Sequence, residues 1–207
     1  MTCDIICGCV SSTEVYKIYI DYLNKKYNSK VISVNFKDKR AGWRGKSIAV
    51  NFTNGEEYLN SILDDDYCVS FHSRYNICPS CFNCKYRNLN RGADFTLGDF
   101  WAIEKFQPEY DDNKGTSFVL TNTEKAVNIL HELDIICHPM DIDYEEYSTN
   151  YNWCMHRNPY SMPEIDRNRF YEDVRKMPFN EMAMKNLEVI RQARKQKKLA
   201  TKQVKYE

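Results

Sequence analysis

The sequence predicts an α+β fold, with a mixed sheet flanked by helices and a helical C-terminal segment after it. Three observations carry this expectation. Short alternations of apolar and polar residues mark several strands. Other stretches repeat apolar residues every three or four positions, as amphipathic helices do. The two kinds are interspersed up to about residue 140, and only helical patterns follow. Element order alone also admits a parallel α/β sheet. The expected division is a sheet-bearing domain over 1–140 and a helical segment with a basic tail over 141–207.

The elements follow in order. Ser11 and Glu14 have capping-box spacing ahead of "VYKIYIDYLNKKY", where Val15, Ile18, Tyr19, Tyr22 and Leu23 share one face. "KVISVNF" (30–36) and "KSIAVNF" (46–52) alternate as half-buried strands, joined by the basic turn "KDKRAGWRG". Asn54-Gly55 is a hairpin signal leading into "EEYL". "DDDYCVSFHSRY" is expected as a short helix opened by acids, which suit the positive end of its dipole. "ADFTLGDFWAIEKF" (93–106) starts as a strand and is expected to break at Gly98. "TSFVLTN" is a further strand, and Thr123 is placed to cap "EKAVNILHEL". "DIICHPM" (134–140) is expected to return as a strand. "PEIDRNRFYEDVRK" and "NEMAMKNLEVIRQARK" close the chain as two helices.

Composition narrows the functional classes. Of 207 residues, 43% are apolar and 28% charged, an ordinary globular balance. Lys plus Arg equals Asp plus Glu at 29 each, so global charge names no partner. The tail 191–206 carries seven Lys or Arg and no acid, yet lacks the interleaved aromatics or wider basic field of a nucleic-acid surface. It reads as a solvated helix end, and no nucleic-acid partner is expected. No run nears the roughly 20 apolar residues of a membrane span. The first residues lack the basic and apolar regions of a secretory leader, so a cytoplasmic setting is expected.

That setting governs the nine cysteines. Disulfides are rare in a reducing compartment, where clustered thiols hold metal or do redox chemistry. Cys78, Cys81 and Cys84 form a C-x2-C-x2-C run, whose soft thiolates reach one centre from a short loop. Ferredoxin-type clusters use this run with a further cysteine downstream, and "KYRN" stands there instead. A fourth ligand must come from elsewhere, with Cys7, Cys9 and His72 as candidates. Spacing alone leaves an iron–sulfur cluster, a zinc site and no metal all open. Cys3, Cys68, Cys137 and Cys154 read as inert thiols, and the four histidines show no metal spacing. Trp43 and Trp101 read as packing. No G-x-S-x-G, P-loop or zincin motif occurs.

What surrounds the cysteine loop is more specific. Pro79-Ser80-Cys81 with Cys84 is followed by Asp94, Thr96, Gly98, Asp99, Phe100, Trp101, Ile103 and Glu104. Then come Asp111, Asp112, Lys114, Gly115, Ser117, Val119, Leu120, Asn122, Thr123 and Lys125. Upstream stand "VNFKDKRAGW" and "DIICGCVSS". These five ordered segments resemble the C-terminal domain of the beta-subunit family of coenzyme F420 hydrogenases and dehydrogenases.

The resemblance implies an iron–sulfur flavoprotein module. A 4Fe–4S cluster would pass single electrons, and FAD would exchange a hydride with coenzyme F420 or another deazaflavin or flavin acceptor. A redox partner protein or subunit would complete the path, and the chain would be an oxidoreductase of this type if complete. The resemblance carries cluster ligation to Cys7, Cys81 and Cys84. It makes Gly98, Asp99, Lys114, Gly115 and Ser117 flavin-site candidates, since glycine admits a pyrophosphate and lysine balances its charge. Asp99 is also readable as a strand-end cap, and Lys114-Gly115 as a plain turn. The family's N-terminal half, with its own cysteine loop, has no counterpart in this sequence. The chain reads Cys7-Gly8-Cys9 where the family reads Cys-His-Gly, and Cys78 stands where arginine is common. Cys9 or Cys78 would then supply the fourth ligand. The alternative is a non-catalytic module stapled by zinc or a cluster, or a truncated, inactive relative.

Overall fold

The computed structural model describes residues 1–152, 155 and 167–203, with side chains up to residue 193 except those of 145 and 149. The fold is α+β, with one mixed and one antiparallel sheet of three strands each, flanking helices and a helical C-terminal region. Two compact units interleave along the chain. The first takes 1–9 and 79–161, the second 10–78 and 162–207. Cys154, His156 and nearly all of the basic tail's side chains lie outside the described residues.

The second unit opens with α1 (Thr13–Lys26), whose Val15, Tyr19 and Leu23 are buried at helical spacing. Its cap is Ser12, not the expected Ser11: the Ser12 hydroxyl accepts from the Val15 N–H at 3.5 Å. Ser12 has the extended backbone an N-cap needs, whereas Ser11 is committed to a bridge with Ile77 and to a hydrogen bond from the Tyr67 hydroxyl at 2.6 Å. Strands β2 (Val31–Asp38), β3 (Ser47–Phe52) and β4 (Glu57–Ser61) form a meander in that order. The β3–β4 turn uses Gly55 at φ +86°, a left-handed value that suits glycine. Ile48, Val50 and Phe52 alternate along the central strand into the same core as the α1 stripe.

Helix α2 (Asp66–His72) adds Tyr67, Cys68 and Val69 to this core, which accounts for Cys68 as a packing thiol. Near the end of the chain, α6 (Arg167–Lys176) adds Phe170 and Val174, and α7 (Phe179–Gln203) adds Phe179, Met182, Ala183 and Leu187. Each large side chain among them contributes about 1.5–3 kcal/mol when fully buried.

In the first unit, β1 (Cys3–Ile5) lies parallel to β5 (Phe95–Asp99), and β6 (Ser117–Thr121) pairs antiparallel on the other side of β5. Strand β5 runs through Gly98 rather than breaking there. A Cβ at that position would meet the Ile6 side chain at 2.7 Å, so the missing side chain makes room for a close neighbour. The core is aromatic: Phe100, Phe118 and Tyr147 interlock beside Ile103 and Met155. Around it lie α3 (Ile103–Phe106), α4 (Glu124–Glu132, capped by Thr123) and α5 (Tyr144–Asn150). Residues 134–140 are not the expected strand. No described strand pairs with them, and Ile135 and Ile136 are 54% and 89% exposed. A β-prone run without a ladder partner leaves its backbone in the irregular state.

Candidate metal centre

Two segments of the first unit, far apart in sequence, carry Cys7, Cys81 and Cys84, the cysteines expected to bind metal. The first is the chain leaving β1. Ile6 donates its N–H to the Leu97 carbonyl at 2.7 Å, so the parallel pairing continues to the threshold of Cys7. The second is a 3-10 turn, Pro79–Asn83, which carries Cys81 and releases the chain at Cys84. Proline suits the first turn of such a helix because its missing N–H would have no partner there.

Cys81 and Cys84 lie close enough to Cys7 to act on its thiol. The Cys7 thiol is pushed above the ordinary cysteine range, first by the protein packed around it and then by Cys81; Cys84 adds to the rise, while Arg87 and Arg91 pull it down. Among the described residues, no three His, Cys, Asp or Glu side chains are close enough to hold a single metal ion. Thiolate is a donor that both a zinc ion and a 4Fe–4S cluster take, so the chemistry of the set admits either.

Two arginines stand beside these thiols. Arg87 is 4% exposed, and its Nη2 donates to the Gly8 carbonyl and, at 3.2 Å, to the Cys9 sulfur. The Arg91 side chain is 8% exposed and reaches Asp4 at 3.5 Å. Sequence reasoning did not single out either one. The signal was present, since "KYRNLNRG" follows the loop with three cations and no acid.

Cys78 belongs to the second unit, where its N–H donates to the Val10 carbonyl at 2.8 Å. Cys3 and Cys137 are exposed, and the His72 Nδ1 lies 2.7 Å from the Cys68 carbonyl in its own helix.

The flavin candidates gather at one end of the first unit's sheet. Asp99 ends β5 directly opposite Ser117, which starts β6. Gly115, two residues earlier, takes φ +102°, and Lys114 is at the surface with Asp112 at 3.5 Å. Because β1 and β5 run parallel, Cys7 leaves the sheet at this same end. Parallel strands commonly present ligand sites at their carboxyl ends. Gly98 is accounted for by the Ile6 side chain packed over it. Trp43 is buried, with Lys46 3.2 Å and Lys39 4.9 Å from its ring centre; Trp101 is 39% exposed.

Several residues that carried the resemblance hold the opposite end together. Asp94 accepts from the Thr2 N–H at 2.8 Å, from Thr123 at 3.0 Å and from Lys125 at 3.3 Å. Asn122 donates to Thr96 at 2.9 Å. The contacts to Asp94 hold its carboxylate well below the usual range, at about 2, with the Thr2 backbone donor the largest cause. Their evident work is to tie β1, β5 and α4 together.

No described helix is long and apolar enough to cross a membrane. No curated protein and no solved structure matches the chain. Residues 1–135 match the family described as the C terminus of the coenzyme F420 hydrogenase/dehydrogenase beta subunit. With more than half its length so matched, the chain belongs to that family and is a redox domain of the beta-subunit type.

Proposed function

We propose that the chain serves electron transfer, holding a 4Fe–4S cluster on Cys7, Cys81 and Cys84 and working next to a flavin with a partner subunit. The supporting observation is the shared neighbourhood of the Cys7, Cys81 and Cys84 thiols beside two buried guanidiniums. When bound, the cluster supplies one-electron transfer. The residues do the rest. The three thiols lose their protons on ligation, and Arg87 and Arg91 offset the negative charge this creates. Cys9, in the same unit, is the proposed fourth ligand.

At the same end of the sheet, the Gly115 backbone, Ser117, the Asp99 carboxylate and the Lys114 cation offer a set for FAD. A deazaflavin such as coenzyme F420 is the proposed hydride partner, and a reducing cytoplasm the proposed setting. Anaerobic reconstitution followed by iron and sulfide analysis tests the central claim. About four of each per chain is expected. A colourless protein that binds zinc and no iron would overturn it. Titration with FAD tests the second site, where Lys114→Ala and Ser117→Ala should each weaken binding.

A further inference from the structure

Arg87 stands apart from the ligand set, yet it touches both halves of it. Its backbone N–H donates to the Cys84 carbonyl at 3.5 Å, which fixes it to the cysteine loop. Its guanidinium then spans 79 positions to the Gly8 carbonyl and 78 to the Cys9 sulfur, the two residues immediately after Cys7. The residue is 4% exposed, and a cation this covered needs hydrogen-bond acceptors to stay in place. Strand pairing between β1 and β5 ends at Ile6, so the ladder does not hold the Cys7–Cys9 segment. Gly8 within that segment adds backbone freedom. The Arg87 Nη2 group carries two N–H bonds, one for each of these acceptors on neighbouring residues.

We infer that Arg87 is a positioning residue that latches the Cys7–Gly8–Cys9 segment to the Cys81–Cys84 loop, so that Cys7 is presented to the other two thiols before any cluster is bound. This rests on the proposed function for its purpose, not for its geometry. The latch works through the Gly8 carbonyl and the Cys9 sulfur and leaves the Cys7, Cys81 and Cys84 sulfurs for ligation. Arg91 reaches Asp4 on the same strand as a second, weaker tie.

The test uses the metal-free full chain. Diamide joins neighbouring thiols: two cysteines give up two electrons and two protons to its N=N bond, leaving a disulfide and a hydrazine. Peptide mapping by mass spectrometry then separates a Cys7 cross-link to Cys81 or Cys84 from the local Cys81–Cys84 cross-link. In Arg87→Ala the Cys7 cross-link is expected to fall about tenfold, the equivalent of one lost charge-assisted hydrogen bond. The local cross-link should persist, showing that the loop is intact. Arg87→Lys keeps a charged nitrogen with several donors, and part of the Cys7 cross-link should return. After reconstitution, iron per chain and the visible thiolate-to-iron absorption should fall in Arg87→Ala and recover in part in Arg87→Lys.

Unchanged Cys7 cross-linking in Arg87→Ala, or no recovery at all in Arg87→Lys, overturns the latch. Parallel loss of both cross-links in Arg87→Ala also counts against it, because the defect would then be general. Wild-type chain that shows the Arg87-dependent cross-link but takes up no iron sinks the cluster reading and leaves the latch standing.

Discussion

Asp94 accepts a hydrogen bond from Thr123 at 3.0 Å, joining the start of β5 to the cap of α4. The same carboxylate takes the Thr2 N–H and Lys125, and its pKa is lowered to about 2. A carboxylate depressed in the folded state lends stability above its ordinary pKa, and that stability is lost as pH falls from about 4 towards 2. Melting of the wild type should therefore shift downward across that window, and Asp94→Ala should be less stable at neutral pH and flatter in acid. An equally steep acid decline in the variant would place the titrating group elsewhere.

In the second unit, Asp65 collects three donors: Tyr19 at 2.8 Å, Tyr58 at 2.9 Å and the Cys68 N–H at 2.8 Å. Burial, with the Asp65 charge behind it, pushes the Tyr19 phenol far above its usual range, so it remains a donor. Tyr19→Phe removes one hydrogen bond to a charged acceptor and should cost about 1.5–3 kcal/mol. Asp65→Ala also removes the α2 cap and takes the acceptor from the Tyr19 and Tyr58 O–H donors, for about 3–5 kcal/mol. Urea unfolding midpoints measure both, and equal losses would argue against a shared hub.

Gly98 separates packing from ligand binding. Alanine there would press on the Ile6 side chain at 2.7–2.9 Å, including its branched Cβ, and should cost about 1–3 kcal/mol as an overpacked site. Ile6→Ala relieves the pressure, so a double-mutant cycle should show favourable coupling between the two changes. Additive losses would point to a role for the glycine outside this contact.

Cysteine variants read the centre directly. Cys7→Ser, Cys81→Ser and Cys84→Ser should each remove most of the reconstituted iron. Cys68→Ala should keep it while losing stability, since Cys68 is buried in the other unit's core. Cys9→Ala that loses iron while keeping the metal-free Cys7 cross-link assigns Cys9 to the fourth corner rather than to the latch. Retention of iron by Cys7→Ser would remove the pairing of the two segments from the chemistry.

Much of the fold was legible because its determinants are local. The α1 stripe, the Asn54-Gly55 hairpin and the Thr123 cap each depend on neighbours within a few positions, and each formed as expected. The misses have a common origin. Ser11 lost the cap because Ile77 and Tyr67 claimed it, and both lie more than fifty residues away. β5 continued through Gly98 because Ile6 packs over it, and 134–140 stayed irregular because no described strand took it up.

By itself, the sequence determined which groups are available: a three-cysteine loop, a second cysteine cluster near residue 7, and helix and strand faces with the right periods. Only the tertiary structure decided which of these meet. Parallel pairing of β1 with β5 carries Cys7 to the Asp99–Ser117 end of the sheet, and Arg87 ties its segment to the cysteine loop. The physical reason is range. Backbone periodicity and capping act over one or two turns, whereas the distance between residue 7 and residue 81 is set by ladder register and buried hydrogen bonds that spacing does not encode.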